Sequence, residues 1–342
     1  MGSHTMKALQ LTRSFSTAPP KLAAVNIPVP QLKPGHALVQ IHYASIQPSD
    51  RLNAQGLFPS TTFPRIPGRD YSGIVVDTAE KNDAAKSWIG KRVYGTSGPS
   101  LGFVVDGTHA QYCQVPQAAL VEKPSSLSLL QAATVGVPFT TAIVCLRRAQ
   151  VTPGDVVLVL GANGAVGSAA TQIATAMGCK QVLTAARRED WKPDVVLSPN
   201  ISTALLEENV SRLTGGRGVD VVIDTVGDPT LMSVLIDKLA MFGRYAWIAS
   251  PRGDADKRVE FDVFQAYRKE LSLLGCNSVA RPVESTAVDL RSLDVWINQG
   301  KVKAQTESEF ETVPLGDAIE EGYDKVGKVV IDMGFSNTSD RS

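Results

Sequence analysis

Seven residues, Gly161-Ala162-Asn163-Gly164-Ala165-Val166-Gly167, most constrain what the middle of this chain can become. They directly follow the apolar run Val156-Val157-Leu158-Val159-Leu160 and directly open a helix-like stretch reaching Met177. A buried strand that turns at once into a helix is the first half of a β-α-β unit. Glycine at such a turn lets the backbone approach a ligand closely, and the first N–H groups of the helix lack partners and carry partial positive charge. The loop is therefore expected to hold a pyrophosphate, and so a dinucleotide; a tight strand-to-helix turn without a ligand is the alternative. The spacing is Gly-x-x-Gly-x-x-Gly rather than the commoner Gly-x-Gly-x-x-Gly.

The end of the next strand, Gln181 to Ala186, discriminates between dinucleotides. An acid there would accept hydrogen bonds from a ribose 2′-hydroxyl. The sequence instead reads Thr184-Ala185-Ala186-Arg187-Arg188, which puts two guanidinium groups where a 2′-phosphate would lie. NADPH is expected over NADH by charge and by fork geometry. The alternative is that one or both arginines solvate the following turn, with Glu189 and Asp190 as partners.

Around this segment the chain changes character twice. From Met6 to about residue 127 it consists of short β-type runs, among them Ala37 to Tyr43, Gly73 to Val76, Arg92 to Tyr94 and Gln111 to Val115. Prolines at positions 28, 30, 34, 48, 59, 64 and 67 argue against long helices there. Residues 128–276 alternate strand and helix periods, with further strands at Asp194 to Leu197, Val221 to Asp224, Tyr245 to Ala249 and Leu271 to Gly275. Apolar strands at that repeat predict a parallel sheet covered on both faces. Residues 277–342 revert to a helix, Ser285 to Gln299, and β-type pieces ending with Lys328-Val329-Val330-Ile331. Met1-Gly2-Ser3-His4-Thr5 has the look of a recombinant-expression remnant, so the natural chain is expected to start at Met6.

Composition removes several classes. With 342 residues, 43% of them hydrophobic, the chain can bury more than one core. Lys and Arg together number 34, as do Asp and Glu, so no basic excess favours nucleic acid. No apolar run approaches the roughly 18 residues that suggest a membrane span. Cys113, Cys145, Cys179 and Cys276 stand far apart in sequence with no Cys-x-x-Cys pair, which supports neither a disulfide framework nor a thiolate zinc site and fits a reducing, cytoplasmic setting.

Taken together, several segments resemble the medium-chain dehydrogenase/reductase superfamily, specifically its zinc-independent quinone oxidoreductase and enoyl reductase-like branch. They are Pro67-Gly68-Arg69-Asp70-Tyr71-Ser72-Gly73, Thr141-Ala142, Pro153-Gly154-Asp155 with the strand after it, the glycine loop, Thr214 to Asp220, and Gly327-Lys328-Val329-Val330. Their order and spacing, from Met6 to Met333, make the match specific. The resemblance implies an α/β fold in which a Rossmann doubly wound parallel sheet is inserted in a GroES-like β-rich domain, with the active site in the cleft between them. It also implies that Thr225, Val226 and Gly227, then Ile248 and Ala249 in the fifth strand, then Gly275, Cys276 and Asn277, line the cofactor, and that Lys328 reaches it from the tail. One departure stands out. Only Arg187 to Pro193 separate the second and third strands, which leaves room for a turn but hardly for a helix.

Zinc-dependent relatives need cysteine, histidine or acidic ligands. Here the corresponding positions read Ile46-Gln47-Pro48 and Arg69, and a guanidinium cannot ligate a cation; His109 is expected to be a satisfied histidine at a strand entry. Without a Lewis acid, an activated C=C bond or a quinone is an easier hydride acceptor than an isolated ketone, because the resulting anion is delocalised. The resemblance makes Gln47, Arg69 and Thr141 the catalytic candidates, Tyr71 a weaker one, with Arg69 equally able to form a structural ion pair with Asp50 or Asp70. The expectation is an NADPH-dependent enone or enoyl reductase acting on a small molecule, with a quinone reductase and a non-catalytic NADPH-binding scaffold as alternatives. A homodimer through edge strands is implied by the resemblance alone.

Overall fold

The computed structural model describes residues 5–96, 98–197 and 202–335. The chain forms two compact units: one up to Val137 and again from Val279, the other from Pro138 to Ser278. The sequence placed these borders at 127/128 and 276/277.

In the first unit the order is β1 (Thr5–Thr12), β2 (Lys21–Pro28), β3 (His36–Ile46), α1 (Pro48–Ala54), β4 (Tyr71–Thr78), α2 (Asp83–Lys86), β5 (Arg92–Gly95), β6 (Tyr112–Pro116), β7 (Val121–Glu122) and α3 (Leu129–Ala132). The second unit takes over within α4 (Gly136–Arg148). It continues as β8 (Val156–Leu160), α5 (Ala165–Ala176), β9 (Gln181–Ala186), β10 (Val195–Val196), α6 (Thr203–Leu213), β11 (Val219–Asp224), α7 (Pro229–Asp237), β12 (Leu239–Trp247), α8 (Val263–Arg268) and β13 (Ser272–Gly275). The tail adds α9 (Val283–Asn298), β14 (Glu311–Pro314) and β15 (Val329–Asp332) to the first unit.

The first unit is organised by β3, whose length lets it pair with three strands. β4 runs antiparallel along one edge, while β6 takes the first half of the other edge and β15 the second, with Val329 opposite Ile46. The β3–β4 contact is close: a Cβ on Gly73 would lie 2.1 Å from the Gln40 carbonyl oxygen, so only glycine fits. Arg51 of α1 ties down the tail, donating to the Gly322 carbonyl from Nε (3.2 Å) and Nη2 (2.9 Å) and to the Gly327 carbonyl (3.2 Å).

In the second unit the strands are all parallel, in the order β10-β9-β8-β11-β12-β13. Every residue of β8 is at most 4% exposed. Since successive side chains point to opposite faces, both faces of that strand are covered. From β8 the chain moves through β9 to β10 on one side, then resumes with β11 on the other. The carboxyl ends of β8 and β11 therefore flank a topological switch point, where such sheets bind ligands.

One strand differs from expectation. β12 was read as Tyr245 to Ala249, yet it begins at Leu239 and ends at Trp247, leaving Ile248 and Ala249 just beyond it. It starts early because Leu239 already pairs with Val219, and the register then jumps so that Val221 faces Arg244. The extra residues form a bulge in which Phe242 takes a φ of 59° and donates its N–H to the Lys269 carbonyl at 2.7 Å. After the bulge, Arg244 bonds Asp155 at 2.6 Å and the Ala149 and Gln150 carbonyls at 3.2 Å each, with its side chain largely covered. Arg244→Met is expected to lower unfolding free energy by about 2 kcal/mol, because a half-buried charge-assisted network is lost. Arg258→Met removes only an exposed pair with Asp256 and should leave the urea midpoint unchanged. Equal midpoints for the two variants would contradict this.

Candidate functional site

At the switch point the glycine loop forms one wall of a cavity of about 700 Å³, lined also by Ala186, Arg187, Thr225, Val226 and Asp228. The reasons for glycine are local. Gly161 has a φ of 73°, and a Cβ there would lie 2.4 Å from the Thr225 Oγ1. A Cβ on Gly167 would lie 2.1 Å from the Gly161 carbonyl oxygen, so this glycine sets how closely α5 packs on the end of β8. The N–H groups of Gly161 and Ala162 are taken by the Ala185 carbonyl, and that of Gly164 by Gly161. The next three, on Ala165, Val166 and Gly167, are the first of α5 and have no intrahelical acceptor. Gly164 caps the helix without a side chain in the way. This is an anion cradle that fits a pyrophosphate.

The two arginines part company. Arg187 directly follows β9 and lines the cavity. Arg188 grips Asp190 with Nε (3.0 Å) and Nη2, both side chains exposed. The alternative reading, an arginine satisfied by the next turn, thus describes Arg188. The short connection holds a 3₁₀ turn, Glu189–Trp191, closed by Lys192 at a φ of 52°. Asp194, at the far end of this connection, is turned onto the Thr184 N–H (2.8 Å) and hydroxyl (2.7 Å).

Sequence reasoning missed Asp224. Fully buried at the end of β11, its Oδ1 accepts the N–H groups of Val226 (2.7 Å) and Gly227 (2.9 Å), and its Oδ2 the Tyr245 hydroxyl (2.9 Å). Burial pushes its carboxyl up, partly countered by those donors. It bends Thr225-Val226-Gly227 into the cavity wall, and the Thr225 hydroxyl donates to the Leu160 carbonyl at 2.7 Å. A Cβ on Gly227 would meet the Ala249 carbonyl oxygen at 2.2 Å, so the segment after β12 closes against this turn. An acid at a strand end with a tyrosine on the neighbouring strand was the available signal.

In the same unit, one face of α4 meets the segment after β13. The Thr141 Oγ1 donates to the Ser278 Oγ at 3.0 Å, and the Cys145 thiol is hydrogen-bonded with that of Cys276. That bond, with burial, holds the Cys145 thiol above its ordinary range. Thr141 and Cys276 are therefore gathered at one place.

The first unit holds a buried charge cluster of its own. β3 runs into α1 at Gln47, whose N–H donates to the Asp50 Oδ2 (2.8 Å) and whose Nε2 donates to the Ser45 Oγ and the Asp70 Oδ2, both at 2.9 Å. The carboxamide donor of Gln47 thus serves the protein. Arg69, 3% exposed, donates to the Ser49 Oγ at 2.9 Å, lies 5.7 Å from the centre of the Phe103 ring, and feels Asp50 and Asp70 electrostatically. Both carboxylates of the cluster are pushed up by burial, Asp50 to about 6 and Asp70 to about 7, against the pull of Arg69. Asp70 also accepts the Val137 N–H at 2.9 Å, and a Cβ on Gly136 would sit 2.3 Å from its Oδ1.

His109 is buried between the Tyr323 hydroxyl (2.7 Å) and the Ser45 carbonyl (3.2 Å), and burial lowers it to about 4, so it is neutral. Lys328 lies 3.4 Å from Glu309 and over the Phe310 ring. Among the described residues no group of three or more His, Cys, Asp or Glu could hold a metal ion. A guanidinium and a carboxamide, at Arg69 and Gln47, are not a zinc donor set.

The cluster implies an unusual pH dependence. Between the ordinary carboxylate value of 3.8 and about 7, the unfolded chain releases protons that folded Asp50 and Asp70 retain. Their contribution to stability is therefore largest at low pH and falls as pH rises through that window. His109, neutral in the fold down to about 4 but charged below 6.5 when unfolded, contributes in the opposite sense. Asp70→Asn removes one falling contribution, so the variant should gain stability relative to the parent between about pH 4.5 and about pH 7.5 in urea titrations. A constant offset between the two curves would show that Asp70 does not titrate there.

Comparison with known proteins agrees with this arrangement. Residues 33–125 match the alcohol dehydrogenase GroES-like domain, and residues 165–292 match the zinc-binding dehydrogenase family. A zinc-type alcohol dehydrogenase-like protein of Schizosaccharomyces pombe is 41% identical over 307 residues, covering 90% of each chain. The quinone oxidoreductase of Mus musculus is 28% identical over 341 residues, covering 95% of this chain and 98% of its own. The crystal structure of an alcohol dehydrogenase superfamily protein from Novosphingobium aromaticivorans superposes with a TM-score of 0.77 at 26% identity, covering 96% and 99%. With its parallel sheet, its dinucleotide cradle and these relatives, the chain belongs to the medium-chain dehydrogenase/reductase superfamily of nicotinamide-dinucleotide oxidoreductases, in the quinone oxidoreductase-like branch.

Proposed function

We propose that the protein is an NADPH-dependent reductase that delivers hydride to an activated C=C bond of an enone or enoyl-type compound, without zinc. The observation that carries the cofactor choice is Arg187 lining the nucleotide cavity where no acid stands at the end of β9. On this reading the loop N–H groups hold the pyrophosphate, Arg187 meets the 2′-phosphate, and Arg188 stays with Asp190. When bound, the reduced nicotinamide supplies a hydride to the electron-poor carbon. The buried Arg69 guanidinium is the donor proposed to meet negative charge on the substrate oxygen. Asp50 and Asp70, poised near neutrality, are the groups proposed to hold and return a proton. NADPH quinone reduction is the second reading, favoured by relatives named quinone oxidoreductase.

Steady-state assays with NADPH against enones and quinones separate the two, and oxidation of NADPH by neither class would sink both. In the same assay Arg187→Ala should raise the KM for NADPH about tenfold or more while leaving that for NADH nearly unchanged. Arg188→Ala should alter neither. An equal effect of both substitutions would show that the phosphate is not read by Arg187.

A homodimer in the cytosol completes the proposal. β13 ends the parallel sheet with an open edge, and Phe242, Val263, Phe264, Tyr267 and Leu273 around it are exposed. Two such edges can pair symmetrically and cover these groups. The four cysteines are all free, in keeping with a reducing compartment. Among the described residues no helix is long and apolar enough to cross a membrane. Light scattering should give twice the monomer mass, and Leu273→Lys should return the monomer.

A further inference from the structure

Within the second unit, α4 and the segment after β13 meet along two rungs. In the first, the Thr141 Oγ1 donates to the Ser278 Oγ at 3.0 Å; in the second, the thiols of Cys145 and Cys276 are hydrogen-bonded. The spacing of the rungs is what regular backbone dictates. Thr141 and Cys145 stand four residues apart on one helix face, a rise of about 6 Å, and Ser278 and Cys276 stand two residues apart, about 6.6 Å of extended chain. With the first rung made, Cys145 therefore falls opposite Cys276. Cys276 is held there by its own backbone, whose N–H donates to the Trp247 carbonyl at 2.8 Å.

The other two cysteines have no such arrangement. Cys113 gives its S–H to the carbonyls of Asp106 (3.7 Å) and Gln114 (3.6 Å), and Cys179 to that of Thr152 (3.5 Å). These are satisfied thiols that act as small packing groups. The Cys145–Cys276 pair is also unequal in access: Cys145 is 0% exposed, whereas Cys276 is partly exposed just past β13. An oxidant reaches the exposed sulfur first, and a sulfur with a second one beside it resolves to a disulfide.

We propose that Cys145 and Cys276 form a peroxide-oxidisable dithiol, closing to an intrachain disulfide that makes the second rung covalent and fastens α4 to the end of β13. The Cys276 sulfur attacks one oxygen of a hydroperoxide. The O–O bond breaks, the sulfur becomes a sulfenic acid, and the leaving oxygen takes the thiol proton. The Cys145 sulfur then attacks the Cys276 sulfur; the S–O bond breaks, the S–S bond forms, and the departing hydroxide takes the Cys145 proton as water. With hydrogen peroxide, two thiols are oxidised, one peroxide is reduced, and two waters leave. In a reducing compartment the bond is transient, undone by exchange with small thiols. The site is independent of the hydride-transfer reading, and its failure would leave that reading untouched.

Exposing the reduced, folded chain to hydrogen peroxide tests it, with intact mass and peptide mapping after alkylation as readouts. The expected product is lighter by two hydrogens, about 2 Da, reverts with dithiothreitol, and yields a cross-linked peptide joining Cys145 to Cys276. Its urea midpoint should exceed that of the reduced protein, because the link closes a long loop in the unfolded chain. Cys276→Ser should abolish the mass loss and the midpoint rise, whereas Cys179→Ser should alter neither. Should Cys276→Ser not fold, Cys276→Ala replaces it, and the peptide map of the parent decides without either. No mass change, Cys276 carried on to a sulfinic acid with Cys145 unmodified, a bridge between other cysteines or between two chains, or an unchanged midpoint would each overturn the proposal.

Discussion

The burial of β8 on both faces is the constraint from which the nucleotide site follows. A strand covered above and below has no solvent side to spend on alternation, so it reads as an unbroken aliphatic run and pairs with parallel neighbours. Once it is central, the connections must leave it toward opposite sides, and the ends of β8 and β11 separate. The glycine loop, the open amides of α5 and the Asp224-braced turn all lie in that gap. Gly167 makes the geometry tight, since a single methyl there would push α5 away from the sheet.

A second constraint governs the other unit. Arg69 brings a permanent positive charge into a buried site, and Asp50 and Asp70 come with it. Burying charge is tolerable only when it is paired and hydrogen-bonded, and the bonds that Gln47, Ser45 and Val137 donate and Ser49 accepts supply that. The cluster is thus centred on an organic cation attached to the chain's own backbone. That identity decides what the site can do. A guanidinium offers directional N–H donors and fixed charge, but no vacant coordination position.

The parts of this molecule visible in the sequence were those whose cause is local. The apolar run, glycine spacing and helix start around residue 161 are consecutive, so one window contains the whole argument. The shortened connection from Arg187 to Pro193 was equally readable, and it forms only a 3₁₀ turn. What could not be read depended on partners far along the chain. Which arginine enters the cavity is decided by Asp190 capturing Arg188, a matter of rotamer and turn geometry. Asp224 acquires its role from Tyr245 on the next strand, and His109 its neutrality from burial among residues distant in sequence. β12 was misplaced because a bulge around Phe242 hides the pairing that begins at Leu239.

The pairing of Val329 with Ile46 has a consequence for how the molecule comes into being. A ribosome delivers β3 well before β15, with the entire parallel sheet synthesised in between. Until then the second half of one β3 edge has no mate, and Arg51 has nothing to clamp. The nascent first unit is therefore an unfinished sheet with an adhesive border, for as long as the intervening residues take to emerge. Contacts so distant in sequence form slowly, and they close the first unit last.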